Sequence, residues 1–196
     1  VKNTSDDIEI LYKYGKKLVL DGFGYVCTCN QKKIHDLRSA GVECRCRMDT
    51  QKSGDLVNQF FRGGFDQNEA IIRYKGSMSD SNTAMRDPTL FRIIKGNHPR
   101  LGNRYDVWPT YDFAAPIEDS LDGVTHAFRT KEYELRNAVY FAILEGLGLR
   151  KPIMMEFSRL EFKGLPVSKR KIKPLIENGI VKSWDDPRLP TLAAMK

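Results

Sequence analysis

Gly123-Val-Thr-His-Ala-Phe128, Thr130 through Leu147 and Ile153-Met-Met-Glu-Phe157 follow one another as a strand pattern, a long helical pattern and a second strand pattern. That succession is the mark of a βαβ unit, whose parallel strands belong to an α/β sheet. Upstream of it, Asp106 to Trp108 reads as a strand and Tyr111 to Leu121 as a helix; downstream, Leu160 to Phe162 reads as another strand. The amino-terminal half has a different grain. Ser5 is a candidate N-cap for a helix over residues 5–22, with Asp6, Asp7 and Glu9 suiting its first turn and Ile8, Leu11, Tyr12, Leu18 and Val19 lying on one face. Phe23 to Val26 reads as a strand, Asn30 to Ala40 as a capped helix closed by Gly41, residues 52–62 as a helix, and Glu69 to Lys75 and Leu90 to Ile94 as strands. Residues 76–88 are polar loop. A turn-rich stretch near 94–105 separates the two grains. The expectation is a smaller α+β module over residues 1–100 and half of a nucleotide-binding α/β sheet over 101–196.

The chain has 196 residues, 41% of them hydrophobic and 29% charged, which suits a globular core and excludes a disordered tail. No apolar run reaches the twenty or so residues that span a bilayer, and no signal-peptide core follows Val1-Lys-Asn-Thr-Ser. The expected setting is cytoplasmic, with no membrane partner. Opening at Val1 straight into a helix pattern reads as a fragment of a longer protein. The formal net charge of +7 points to an anionic partner. Much of the excess is local: from Arg150 to Lys173 there are eight Lys or Arg against two acids, Glu156 and Glu161.

Within that basic stretch, Val167-Ser-Lys-Arg-Lys171 follows Gly164 and Pro166, which punctuate the chain as a mobile loop would. A hydroxyl followed by consecutive cations offers donors to a polyphosphate. Taken alone, such a run also fits a solvated face or a phosphate-backbone contact.

All four cysteines fall in two Cys-x-Cys pairs, Cys27-Thr-Cys29 and Cys44-Arg-Cys46, with fourteen residues between them. In a reducing compartment paired cysteines favour metal over disulfide. Zn²⁺ takes four ligands in a tetrahedron, and a fourth thiolate leaves no open position for water, so Cys27, Cys29, Cys44 and Cys46 are read as a structural zinc site. Arg45, Arg47 and Lys32 are placed to offset the excess negative charge. The other reading is four structural thiols packed in a small core.

Further blocks set the basic loop in context: Met85-Arg-Asp-Pro-Thr-Leu-Phe-Arg-Ile93, Trp108-Pro-Thr-Tyr-Asp-Phe-Ala114, Glu118 to Arg129, Glu156-Phe-Ser-Arg-Leu160 and Trp184-Asp-Asp-Pro-Arg-Leu-Pro-Thr191. In this order they resemble the glutamyl/glutaminyl class I aminoacyl-tRNA synthetases of the archaeal and eukaryotic branch, with Val167 to Lys171 similar to the KMSKS signature. The resemblance covers most of the chain. It implies an acceptor-stem-binding insertion with structural zinc, followed by the carboxyl half of a Rossmann-type catalytic fold, and a reaction in which ATP, carried with Mg²⁺, activates L-glutamate for transfer to tRNA(Glu). The HIGH signature and the anticodon-binding domain would lie outside this chain, so the fragment alone is expected to bind ATP weakly and to catalyse poorly.

The resemblance also implies roles for residues. Lys169 occupies the second lysine position of KMSKS and would stabilise the departing pyrophosphate, assisted by Ser168 and Arg170. The first lysine is missing, since Pro166-Val167 stands there. Leu160, in Ser158-Arg-Leu160, would read adenine through its main chain. Arg129 would recognise the substrate side chain, because a planar guanidinium fork pairs with a carboxylate and matches a neutral amide poorly. The alternative for Arg129 is an internal ion pair with Glu118 or Glu132. Tyr111 and Tyr133 would line the same pocket. Arg86, Arg92, Arg100 and Arg104 would pass phosphates of the acceptor end, contacts that position without reading sequence. His35, His98 and His126 carry no functional expectation. The rival readings are a glutaminyl-tRNA synthetase, against which Arg129 argues, and a non-catalytic zinc-stabilised tRNA-binding module.

Overall fold

The computed structural model describes residues 2–48, 53–158, 164 and 167–194. Helix α1 (Ile8–Leu20) buries Ile8, Leu11, Gly15, Leu18 and Val19 as one stripe, at the three- and four-residue spacing that keeps side chains on one helical face. Strand β1 (Gly24–Cys27) is buried along its whole length and leads to α2 (Gln31–Ala40). The Asn30 side chain caps α2 by accepting the Lys33 N–H at 2.9 Å, and Gly41, at φ +70°, closes it in the left-handed region. Helix α3 (Ser53–Phe61) precedes β2 (Ile71–Tyr74), β3 (Thr89–Ile93) and β4 (Val107–Pro109). These strands form one sheet in the order β1-β2-β3-β4, antiparallel at every neighbour, with a register shift between Ile72 and Arg73.

Beyond the sheet come α4 (Tyr111–Leu121), β5 (His126–Thr130), a 3-10 run over Lys131–Arg136, α5 (Asn137–Leu147) and β6 (Ile153–Phe157). Strands β5 and β6 pair as a separate two-stranded sheet. One core joins the helices to the larger sheet: Leu11 and Leu18 of α1, Phe60 of α3, Ile72, Leu90 and Phe91 of the sheet, Phe113 and Ile117 of α4 and Ile143 of α5 are all fully buried. Each such side chain contributes on the order of 1.5–3 kcal/mol of burial. Phe91 is the hub, with ring centroids 5.0 Å from Phe61 and 4.6 Å from Phe113.

The chain divides into two compact units, Val1–Glu156 and Phe157–Lys196. In the second, α6 (Lys169–Glu177) places Ile172 against Val181 and Leu189, with Leu175 and Ile176 packed beside them.

Two expectations change. The parallel sheet inferred from strand–helix alternation is not the main one: α4 carries the chain from β4 in the four-stranded sheet to β5 in the smaller sheet, so the alternation crosses between sheets. Across the turn-rich stretch near residue 100, β4 pairs with β3, Phe91 with Pro109 and Ile93 with Val107. The basic stretch read as loop starts a helix at Lys169. Its cap is Ser168, and Ile172, Leu175 and Ile176 give it an apolar face at three- and four-residue spacing. The expected strand over Leu160 to Phe162 lies outside the described residues. Other elements fall within a few residues of expectation, except that the helix expected over 130–147 starts only at Asn137.

Candidate active site and metal centre

The four cysteines converge. Cys27 ends β1, Cys29 follows it, and Cys44 and Cys46 flank and enter the 3-10 turn Arg45–Arg47. All four Sγ atoms lie within 4.8 Å of one another, with Cys27 to Cys44 and Cys29 to Cys46 each at 3.9 Å. A zinc–sulfur tetrahedron with bonds of about 2.3 Å has edges near 3.8 Å, so the donor set fits that ion. The thiols are free, and 3.9 Å is nearly twice the length of a disulfide bond. The contact with Cys27, joined by the Tyr25 hydroxyl, the Arg47 N–H and the Arg73 charge, lowers the Cys44 thiol. The same contact, with burial, pushes Cys27 up, and burial raises Cys29. A metal bound there would displace the protons that the thiols carry.

Alternation along β5 turns His126 and Phe128 outward and Ala127 and Arg129 inward. The Arg129 guanidinium lies between two rings, 5.1 Å from the centroid of Tyr111 and 4.5 Å from that of Tyr140. Its Nη2 approaches Asp119 Oδ2 at 3.4 Å, and that same oxygen accepts the Tyr140 hydroxyl at 2.9 Å. Burial, then the bond to Asp119, raises the Tyr140 hydroxyl, which keeps it a donor at neutral pH. Residues Tyr111, Ala115, Glu118 and Asp119 line a cleft of about 370 Å³ with His126 and Arg129. Burial raises the Glu118 carboxyl. A buried guanidinium beside two carboxylates suits a ligand that carries both an acid and an amine.

Tyr133 lies on the far side of Tyr111, at 5.6 Å between ring centroids. There the two tyrosines line a second, larger cleft of about 680 Å³ together with Arg38, Arg92, Arg136 and Asp112. Arg136 pairs with Asp112, and Arg38 donates to the Thr83 carbonyl at 3.0 Å. The expected single pocket is thus two clefts sharing Tyr111, with Arg129 in one and Tyr133 in the other.

In the second unit, Ser168 Oγ accepts the Lys171 N–H at 3.3 Å, and Lys169 and Arg170 stand exposed in the first turn of α6. Below them, Asp186 accepts from both Arg188 Nε (2.9 Å) and Nη2 (2.8 Å) and from the Lys182 N–H (3.0 Å), which holds its carboxyl well below the usual range. Leu160 lies outside the described residues.

The four scattered arginines separate by their partners. Arg86 is tied internally to the Asp80 and Arg38 carbonyls, and Arg100 pairs with Asp6 and Ser5. Arg104 covers the Tyr105 ring, and Arg92 lines the larger cleft. His98 stacks on Trp108 at 4.8 Å and accepts the Arg100 and Leu101 N–H groups, a structural role. Sequence reasoning missed Asp119 and Tyr140. The signal for Asp119 was present, since Tyr111, Ala115 and Asp119 repeat at four-residue spacing along one helical face. No helix among the described residues is long and apolar enough to cross a membrane.

The family described as tRNA synthetases class I (E and Q), catalytic domain, matches residues 1–196. Over 196 residues the chain is 52% identical to the glutamate–tRNA ligase of Cenarchaeum symbiosum, covering 100% of this chain and 35% of that protein. It is 44% identical to the glutamate–tRNA ligase of Korarchaeum cryptofilum over 189 residues, 96% of this chain and 33% of that protein. The crystal structure of a glutamate tRNA ligase from Elizabethkingia meningosepticum, in complex with its amino acid, shares the fold. Its TM-score is 0.52 at 16% identity, over 87% of this chain and 37% of that one. The chain spans about a third of the length of these relatives. With one family matched from its first residue to its last, the chain belongs to the class I tRNA synthetases of the E and Q type, within their catalytic domain.

Proposed function

We propose that this chain is the central part of the catalytic region of a glutamate–tRNA ligase, which joins L-glutamate to ATP and passes the glutamyl group to the 3′ end of tRNA(Glu). The observation that carries the reading is the Arg129 guanidinium, buried between Tyr111 and Tyr140 and opening on a cleft with two carboxylates. Arg129 pairs with the side-chain carboxylate of glutamate, and Asp119 and Glu118 face its ammonium group. The α-carboxylate attacks the α-phosphorus of ATP and pyrophosphate leaves. The terminal ribose hydroxyl of tRNA then attacks the activated carbonyl and releases AMP. Lys169, with Ser168 and Arg170, takes up the charge growing on pyrophosphate, an interaction worth most in the transition state. Mg²⁺ bound with ATP would neutralise further phosphate charge.

In this reading residues 1–100 form the acceptor-stem-binding insertion and residues 101–196 the carboxyl half of a Rossmann-type domain. Zn²⁺ on Cys27, Cys29, Cys44 and Cys46 would stabilise the insertion without taking part in the chemistry. Four free thiols and these substrates support a cytoplasmic setting. The larger cleft, with its three arginines and two tyrosines, supports tRNA as the polyanionic partner.

The test is glutamate-dependent ATP–pyrophosphate exchange, with and without tRNA, by the full-length protein that carries this chain, beside its Lys169→Ala variant. Exchange that requires glutamate and tRNA and collapses in the variant supports the assignment. No exchange in the full-length protein would leave a zinc-stabilised tRNA-binding module, and exchange driven by glutamine instead would make it a glutaminyl enzyme.

A further inference from the structure

Asp87 is fully buried, and it is one of two non-glycine residues at positive φ among those described, at +45°. A buried carboxylate in a left-handed conformation persists only where its surroundings over-determine it. They do so here. Its Oδ2 accepts the Tyr25 hydroxyl at 2.8 Å, its Oδ1 accepts the Gly76 N–H at 3.0 Å and a close ion pair from Arg47, and its carbonyl accepts Arg73 Nε at 2.9 Å.

Two of those partners continue to the cysteines. The Tyr25 hydroxyl is 3.5 Å from Cys44 Sγ, and Arg73 Nη1 is 3.9 Å from the same sulfur. Arg73 is 1% exposed, and its Nη2 has no hydrogen-bond partner among the described residues. Arg47 and Arg73 against Asp87 leave one cation in excess, which offsets part of the negative charge that four thiolates leave on a bound zinc ion.

On its other side Asp87 belongs to the cleft. The next residues, Pro88 and Thr89, form part of the wall facing Tyr111 and Tyr133. The loop that carries Asp87 is clamped at Gly76, where a Cβ would come within 1.8 Å of the Met85 carbonyl oxygen. A shift of Asp87 would thus displace the cleft wall and the loop together.

We propose that Asp87 is a positioning residue through which the four-cysteine centre fixes the wall of the arginine-rich cleft, so that metal loading sets the shape of a surface built from other residues. The inference rests on the cysteines holding zinc. Nothing in the family resemblance assigns Asp87 this link.

The experiment uses the full chain, its Asp87→Asn variant and its Tyr25→Phe variant, each measured for zinc content, zinc release to a colorimetric chelator, and hydrogen exchange of the Gly76 amide. Asp87→Asn is expected to weaken zinc retention about 10–100-fold, as outer-shell changes at metal sites do. Stripping zinc from the unaltered chain is expected to deprotect the Gly76 amide to the level seen in zinc-loaded Asp87→Asn. Should Asp87→Asn fail to fold, Tyr25→Phe removes a single hydroxyl from between Asp87 and Cys44 and is expected to speed zinc release while leaving the Arg47 pair in place. Zinc retention within about two-fold of the unaltered chain in the folded variants, or Gly76 protection indifferent to zinc, overturns the proposal. An unaltered chain that binds no zinc overturns the metal reading itself, and the inference with it; zinc content separates that failure from the first.

Discussion

Arg129 reaches Asp119 through a single long contact, 3.4 Å from Nη2 to Oδ2, while Tyr140 holds that same oxygen at 2.9 Å. The acid is already engaged by a better donor, so the guanidinium is positioned by Asp119 without being saturated by it. The alternative of an internal ion pair with Glu118 or Glu132 gives way to a contact with Asp119, next to Glu118 in the chain. Among the described residues no second acid is seen to pair with that fork, so in the proposed function one of its edges would meet the ligand carboxylate.

This sets the first prediction. Arg129→Lys keeps the charge and loses the fork, and hydrogen bonds to charged groups contribute about 1.5–3 kcal/mol. The KM for glutamate in pyrophosphate exchange should rise roughly 10–100-fold, following about 1.4 kcal/mol per factor of ten. Arg129→Cys should go further and shift preference toward glutamine. Unchanged glutamate KM in both variants would remove Arg129 from substrate recognition.

Ser168 has two candidate roles that substitutions can part. As the N-cap of α6, its loss in Ser168→Ala should cost about 1 kcal/mol of helix stability, visible as faster exchange of the Lys171 amide. Ser168→Asn retains a capping oxygen and should restore that protection. If pyrophosphate exchange recovers with the cap, Ser168 serves by holding the helix; if it stays low, the hydroxyl itself contacts phosphate.

Gly15 lies inside α1, where alanine is ordinarily the better residue by up to about 1 kcal/mol. Here a Cβ would come within 2.6 Å of Phe91 Cε2 and 2.9 Å of Phe61 Cζ, at the hub of the core. Overpacking of that kind costs about 1–3 kcal/mol, so sterics outweigh helix propensity. Gly15→Ala should lower the denaturation midpoint, and a rise would show that the aromatic cluster yields.

Asp186 supplies the pH dependence of the second unit. Its folded carboxyl is held below the ordinary value, chiefly by Arg188 and then by backbone N–H groups. The stabilisation is therefore complete above the ordinary carboxylate pKa and is lost as pH falls through the depressed one. Melting followed from about pH 6 to about pH 2 should show an acid limb that flattens in Asp186→Asn. An identical limb in both would place the acid sensitivity elsewhere.

Much of this was legible locally. Asn30 and Gly41 bracket α2 because a cap and a left-handed closure act within a few residues, and the cysteine pairs announced their cluster by spacing alone. Strand pairing was not legible, because β4 joins β3 through contacts that no local pattern records. The start of α6 was hidden by its own charges: three cations after Gly164 and Pro166 look like loop, and only Ile172, Leu175 and Ile176 reveal the buried face. Asp87 was invisible as an individual, one of two acids in a polar stretch, and its partners come from β1, β2 and the Arg45–Arg47 turn. Tyr133 was placed with Arg129 through the family resemblance, whereas the two line different clefts that share Tyr111.

The opening turn of α6 works against itself. Lys169, Arg170 and Lys171 crowd the end of a helix whose dipole is already positive, each opposing it by about 0.3–1 kcal/mol, a sum comparable to or larger than what the Ser168 cap contributes. A polyanion seated there turns both the dipole and the three cations from repulsive to attractive. In the proposed reaction the first turn of α6 would tighten when pyrophosphate is seated and slacken as it leaves, so that releasing product and loosening the grip on it would become one event.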